Sequence, residues 1–176
     1  MTDHDTPKLW APWRMEYIRT IKTPGCIFCD KPAVDEDREN LLLFRGEEAF
    51  VLMNLYPYNN GHLLVAPYAH VDSIEKLPSS TLTEIMSLVQ LSMRAIREEM
   101  NPQGFNVGVN QGEIAGAGIA EHVHFHIVPR WAGDTNFMPI TGHAKVIVQG
   151  LTDTYDCLKP HFDRSVGKSS EQSGKL

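Results

Sequence analysis

Cysteine is scarce in this chain. Of 176 residues only Cys26, Cys29 and Cys157 carry thiols, too few and too unevenly spaced for a disulfide framework, and a reducing compartment is implied. No apolar run reaches the roughly 18 residues that a membrane-spanning helix needs, so no membrane is expected as a partner. The stretch MTDHDTPKLW has neither a basic segment nor an apolar one behind it, which argues against export and leaves the cytoplasm as the expected address. Basic residues are also short: 16 Lys and Arg face 22 Asp and Glu, the formal charge is -6, and no Lys/Arg cluster stands out. Nucleic acid finds no overall attraction, and an anionic substrate must be held by local groups. Internal repeats are absent.

What is present is a 42% hydrophobic content, enough for one domain with a sizeable core. Residues 1–9 are polar and expected to be flexible, residues 163–176, with SVGKSSEQSGKL, are expected to form a disordered tail, and 10–162 form the single domain. LLLF (41–44), AFVLMNL (49–55), HLLVAP (62–67), FNVGVN (105–110) and HVHFHIVP (122–129) read as strands bounded by Gly, Pro, Asn and charged turns. Between the third and fourth, Leu82, Ile85, Met86, Val89, Met93 and Ile96 recur at helical steps, with Thr81 and Glu84 in capping-box spacing and Asn101-Pro102 as the stop. A shorter helix is expected over LTDTYDCLKPHF, with Cys157 packed as a small hydrophobe. The expected fold class is α+β: an antiparallel sheet with one long helix and a short C-terminal helix.

Three of eight histidines fall at alternate positions in EHVHFHIVPRW, as His122, His124 and His126, separated by Val123, Phe125 and Ile127. A period of two puts the imidazoles on one face of a strand, repeating at about 7 Å, with the apolar residues facing the core. Such a row can line one small site, whereas Thr or Lys would serve an ordinary solvent-facing strand equally well.

The pattern His-φ-His-φ-His-φ-φ, with φ apolar, resembles the histidine triad (HIT) family. The surrounding GAGIAEHVHFHIVPRWAGDTNFMP, together with LWAPWRMEYI, CIFC and NLYPYNNGHLLVAPYAH, resembles its bacterial branch close to diadenosine tetraphosphate phosphorylases. The resemblance implies a HIT-like α+β homodimer and an enzyme that cuts dinucleoside polyphosphates or nucleoside phosphoramidates beside a nucleoside monophosphate. A neutral imidazole can attack an anionic phosphorus centre without adding charge, forming a nucleotidyl-histidine that water or phosphate then opens. The match makes His124 the nucleophile and His126 a donor to nonbridging phosphate oxygens, and it places His62 beside the triad. It also assigns nucleotide contacts to Asn54, to the side chain of Asn110 or Gln111, and to the backbone of Ala117, Gly118 and Ile119 in the glycine-rich stretch before the triad. Trp131 could stack on a purine, close the site or pack a dimer interface, and Arg130 could reach a distal phosphate.

CIFC follows a Pro-Gly turn and reads as a compact loop. Its two thiolates suit tetrahedral zinc if two further ligands come from elsewhere. The resemblance supplies them as His70 and His122, giving a structural site, Cys26, Cys29, His70 and His122, with no position open to substrate. His4, His143 and His161 carry no comparable support and are expected at the surface. Two other classes compete: a metalloenzyme with a catalytic ion on the histidine row, and a nucleotide-binding adaptor without turnover. The only acid at the row, Glu121, is expected on the opposite face, which disfavours the first, and an intact triad weighs against the second.

Overall fold

The structure is a computed structural model that describes residues 25–134 and 149–172, with side chains described as far as residue 164. The expectations for residues 1–9, LWAPWRMEYI, His4 and His143 lie outside the described residues. Cys26 opens a single helical turn, α1 (Ile27–Asp30), followed by strands β1 (Leu42–Arg45), β2 (Ala49–Met53) and β3 (Leu63–Pro67). The long helix α2 (Ser79–Met100), strands β4 (Gly104–Val109) and β5 (Phe125–Arg130), and helix α3 (Leu151–Gln172) complete the chain. The strands form one antiparallel sheet in the order β1-β2-β3-β5-β4.

β2 and β3 are buried along their whole length, because each side of the sheet is covered by a different layer. Ala49, Val51, Met53, Leu63 and Val65 send their side chains into one cluster with Ile85, Val89 and Ile96 of α2 and Leu158 and Phe162 of α3. Phe50, Leu52, Leu64 and Ala66 alternate with them and meet Phe28 of α1 and Ile119 on the other side. The two long helices therefore share one face, and the loops share the other.

α2 starts at Ser79 with Pro78 at its cap, two residues before the expected capping box. Glu84 acts away from the helix end. Its carboxylate accepts the backbone N–H groups of Glu47 and Glu48 at 2.7 and 2.6 Å, clamping the β1–β2 turn. A Cβ on Gly46 would collide with that carboxylate and with the Ala49 carbonyl, which explains the glycine there. Asn101, in the left-handed conformation at φ 47°, ends the helix where the sequence places the stop. Met86 is 48% exposed and does not belong to the buried stripe.

α3 is longer than expected. Thr154, Tyr155, Leu158 and Phe162 recur at helical steps and are buried, with the Tyr155 hydroxyl donating to the Leu42 carbonyl at 3.1 Å. Once those turns are docked, each further residue gains a hydrogen bond for fixing one residue, so the helix runs on to Gln172, through a stretch that composition alone reads as a disordered tail. Residues 173–176 lie outside the described residues. Cys157 is half-buried and its Sγ accepts from Gln149 at 3.6 Å.

Candidate active site and metal centre

β5 begins at Phe125, so His126 alone of the triad lies in a paired strand, opposite Leu64 of β3 and Gly108 of β4. His122 and His124 precede it in irregular chain anchored by the Val123 N–H to the Val71 carbonyl at 2.7 Å. The alternation survives: Val123, Phe125 and Ile127 pack toward the helices, and the three imidazoles lie on the loop-covered side.

The hydrogen bonds assign a tautomer to each ring. His62, buried at the start of β3, accepts the Tyr58 backbone N–H on Nδ1 at 3.0 Å, with the Asn54 amide nitrogen 3.3 Å from the same atom. A neutral ring with Nδ1 occupied as acceptor carries its proton on Nε2. That proton is donated to His126 Nδ1 at 3.0 Å, which in turn places the proton of His126 on Nε2. His124 is the reverse: its Nδ1–H donates to the His122 carbonyl at 2.8 Å, leaving the lone pair on Nε2 with no partner among the described residues. Burial lowers the His124 pKa, opposed by that carbonyl, so the ring is held neutral. The rings of His124 and His126 meet edge to face at 4.9 Å, and Tyr58 stacks over His62 at 4.9 Å.

His122 uses its nitrogens the other way round. Its Nε2–H donates to the Pro67 carbonyl at 2.9 Å, and Nδ1 faces Cys26 Sγ at 3.4 Å, Cys29 Sγ at 3.6 Å and His70 Nδ1 at 3.3 Å. Cys29 Sγ lies 3.3 Å from His70 Nδ1, and all four ligand atoms fall within 4.8 Å of one another. A tetrahedral ion with bonds of about 2.0–2.3 Å has ligand-to-ligand edges on the order of 3.3–3.8 Å, so this donor set fits zinc. Without metal, burial and the neighbouring Cys26 thiol push the Cys29 thiol up to about 11, and an ion must displace those protons. The three rings of the row do not converge on one point, since they turn different nitrogens to different partners, and of the three only His122 joins a cluster of metal-ligating atoms among the described residues.

A cavity of about 400 Å³ opens beside His126 and is lined by Tyr58, Asn59, Asn106, Gly108, Asn110, Arg130 and Asp134. Of the two candidate amides, Asn110 therefore reaches the site. Gln111 is spent elsewhere, its side-chain oxygen accepting the Ile74 N–H at 2.6 Å near the metal side. Ala117 closes its own loop by donating to the Gly112 carbonyl at 3.3 Å, whereas the N–H groups of Gly118 and Ile119 have no partner among the described residues. Asn54 closes a turn, its oxygen accepting the Tyr56 N–H at 3.0 Å, and it touches the site through His62.

Arg130 is not a free cation. Asp134 takes its Nε and Nη2 at 2.6 and 2.9 Å, and Asn106 takes Nη1 at 2.7 Å. Asp134 also accepts from Asn59 at 2.9 Å, and the Arg130 contact in particular pulls its carboxyl down to about 2. Trp131 leaves β5 on the helix side, its indole N–H donating to the Met100 carbonyl at 3.3 Å, so this chain does not bring it to the cavity. Sequence reasoning missed Phe28, Tyr58, Asn59 and Asp134. Their only signals were positions inside CIFC, four and three residues before His62, and eight residues beyond His126.

A family model described as the HIT domain matches residues 36–133. The AP-4-A phosphorylase of Mycobacterium tuberculosis is 41% identical over 166 residues, 89% of this chain and 85% of that protein. The chain belongs to the HIT family. A second relative, the bis(5'-adenosyl)-triphosphatase of Dictyostelium discoideum, is 33% identical over 93 residues, 53% of this HIT chain and 62% of that one. The fold is shared with a zinc-bound histidine triad family protein from Mycobacterium smegmatis, at a TM-score of 0.65 and 23% identity, covering 82% of this chain and 97% of that one.

Proposed function

We propose that this HIT-family enzyme processes dinucleoside polyphosphates through a covalent nucleotidyl-histidine on His124. The similarity to the phosphorylase and the triphosphatase supports the substrate class. The reading is carried by one observation: His124 keeps a lone pair on Nε2 while its neighbour His126 carries a proton on Nε2, each tautomer fixed by a hydrogen bond on the opposite nitrogen.

The chemistry follows from that pair. The Nε2 lone pair of His124 attacks the phosphorus next to the nucleoside, and the N–P bond forms as the bond to the bridging oxygen breaks, its electron pair leaving with the second nucleotide. His126 Nε2–H donates to a nonbridging oxygen as charge develops. An oxygen of inorganic phosphate then attacks the same phosphorus, and the N–P electron pair returns to His124. Gly118 and Ile119 N–H groups and the Asn110 side chain supply the remaining phosphate contacts.

Cys26, Cys29, His70 and His122 hold a zinc ion whose role is structural, tying the amino-terminal turn to the segment behind the nucleophile. The chain pairs into a homodimer, a reading supported by the outer edge of β4, which no strand among the described residues pairs and where Val107 is exposed. Sedimentation at micromolar concentration is expected to give the dimer mass, and a monomer would remove this part.

Incubation with diadenosine tetraphosphate, with and without inorganic phosphate, tests the whole. Phosphorolysis gives ADP and ATP, hydrolysis gives AMP and ATP, and phosphorolysis is expected because the similarity to the phosphorylase spans 89% of the chain. Failure to cleave any dinucleotide or phosphoramidate would overturn the reading.

A further inference from the structure

Phe28 sits between the two cysteines of CIFC, 1% exposed, and belongs to the apolar cluster under the loop-covered face. Its ring centroid lies 4.6 Å from that of His124 at 31° and 5.1 Å from that of His122 at 44°. A core phenylalanine needs only apolar neighbours, yet this one lies against two rings of the histidine row.

The need is set by His124. Its one hydrogen bond, from Nδ1 to the His122 carbonyl, pins a single point of the ring, and a ring pinned at one point can still tilt. Phe28 bears on it with a ring inclined by 31°, and the edge-to-face ring of His126 is its second aromatic neighbour. Phe28 also belongs to the turn that presents Cys26 and Cys29, so the turn that carries the two thiols bears, through Phe28, on the reacting ring.

We propose that Phe28 is a positioning residue for His124, holding its imidazole in the one orientation in which Nδ1 meets the His122 carbonyl and Nε2 remains available, and thereby coupling the Cys26–Cys29 turn to the nucleophile. The proposal rests on the reading of His124 as the nucleophile. An aliphatic side chain of similar size fills the core but presents a ridge to the imidazole, which leaves the ring free to tilt.

The test compares Phe28→Leu, Phe28→Tyr and wild type as full-length, zinc-loaded protein, measuring kcat and KM on diadenosine tetraphosphate, zinc per chain, and the imidazole ¹H–¹⁵N spectrum. Phe28→Leu is expected to keep its zinc and its KM and to lose about 30- to 100-fold in kcat, the scale on which a misplaced reacting group acts. Its His124 Nδ1–H signal should broaden or average with the other tautomer. Phe28→Tyr, which keeps the ring, should restore kcat to within a few-fold of wild type. A leucine variant with unchanged kcat and an unchanged spectrum would overturn the proposal, as would a rise in KM alone. If Phe28→Leu does not fold, Phe28→Met, flexible and similar in volume, is read by the same criteria. Should wild type cleave no nucleotide, the functional reading falls while the spectra still decide whether Phe28 orients the ring.

Discussion

Two residues apart on one extended segment, His122 and His124 are both buried, and burial lowers the pKa of each. What separates them is the nitrogen that each commits to a carbonyl oxygen. His122 gives Nε2–H to Pro67 and turns Nδ1 to two thiols and a second imidazole, while His124 gives Nδ1–H to His122 and keeps the lone pair on Nε2. These are the nitrogens that the proposed roles require, a metal ligand in His122 and a nucleophile in His124. Residue type and spacing are shared, so backbone carbonyls positioned by neighbouring segments make the distinction.

Substitution at the reactive end should break this comparison most severely. His124→Ala removes the atom proposed to form the covalent bond, and turnover should fall by several orders of magnitude while nucleotide binding stays nearly intact. If His124→Ala keeps more than a small fraction of activity on every substrate while His122→Ala or His126→Ala does not, the assignment of roles along the row is reversed. His126→Ala removes one charge-stabilising donor, and a loss of about 2.7 to 4 kcal/mol in transition-state stabilisation is expected from steady-state kinetics.

The metal end sharpens the contrast through stability. Purified protein, prepared without chelators, should carry close to one zinc per chain, and Cys26→Ser combined with Cys29→Ser should remove it and lower the melting temperature. Protein that holds no zinc by metal analysis would leave His122 without its proposed role.

Acid should act on both histidines in the same direction. In the unfolded chain each takes up a proton near its ordinary value of 6.5, whereas in the folded chain burial holds each below it. Their contribution to stability is therefore complete above that value and is lost as pH falls from it through the lower folded values. Melting temperatures measured from about pH 8 to about pH 5 should decline on the acid side, and His124→Gln should flatten the decline. The smallest effect belongs to Trp131→Phe, which removes one hydrogen bond to Met100: about 1 kcal/mol of stability, with KM unchanged. A raised KM would show that Trp131 reaches substrate after all.

The strands and the long helix were legible because period two and period 3.6 are written directly in apolar spacing, and the core clusters reproduce those periods. The histidine row was legible for the same reason. What could not be read was where polar side chains are spent. Glu84 has the spacing of a capping box but is drawn to the Glu47 and Glu48 amides of a turn that is distant in sequence. Gln111 and Asn110 are adjacent and chemically alike, and only the pleat of β4 carried past its end decides which one meets the cavity. Arg130 reads as an available cation until Asp134 and Asn106 are folded against it. Phe28 carried no signal of its own, since nothing local shows that a segment 94 residues or more away will lay two imidazoles on it.

The sheet order places β5 beside β3 with β4 outside, which has a consequence for how the molecule comes into being. Cys26 and His122 are 96 residues apart, and His62 and His126 are 64 apart. Bringing ends together over such lengths costs about 4 kcal/mol of chain entropy in its length-dependent part alone. A nascent chain that has emerged only as far as β4 can offer an ion two thiols and one imidazole, and it has no ring for Tyr58 and His62 to orient. Arrival of a single segment, residues 122–126, closes both clusters in one event, so completion of the proposed metal site and of the proposed reactive pair should be simultaneous and late in the birth of the protein.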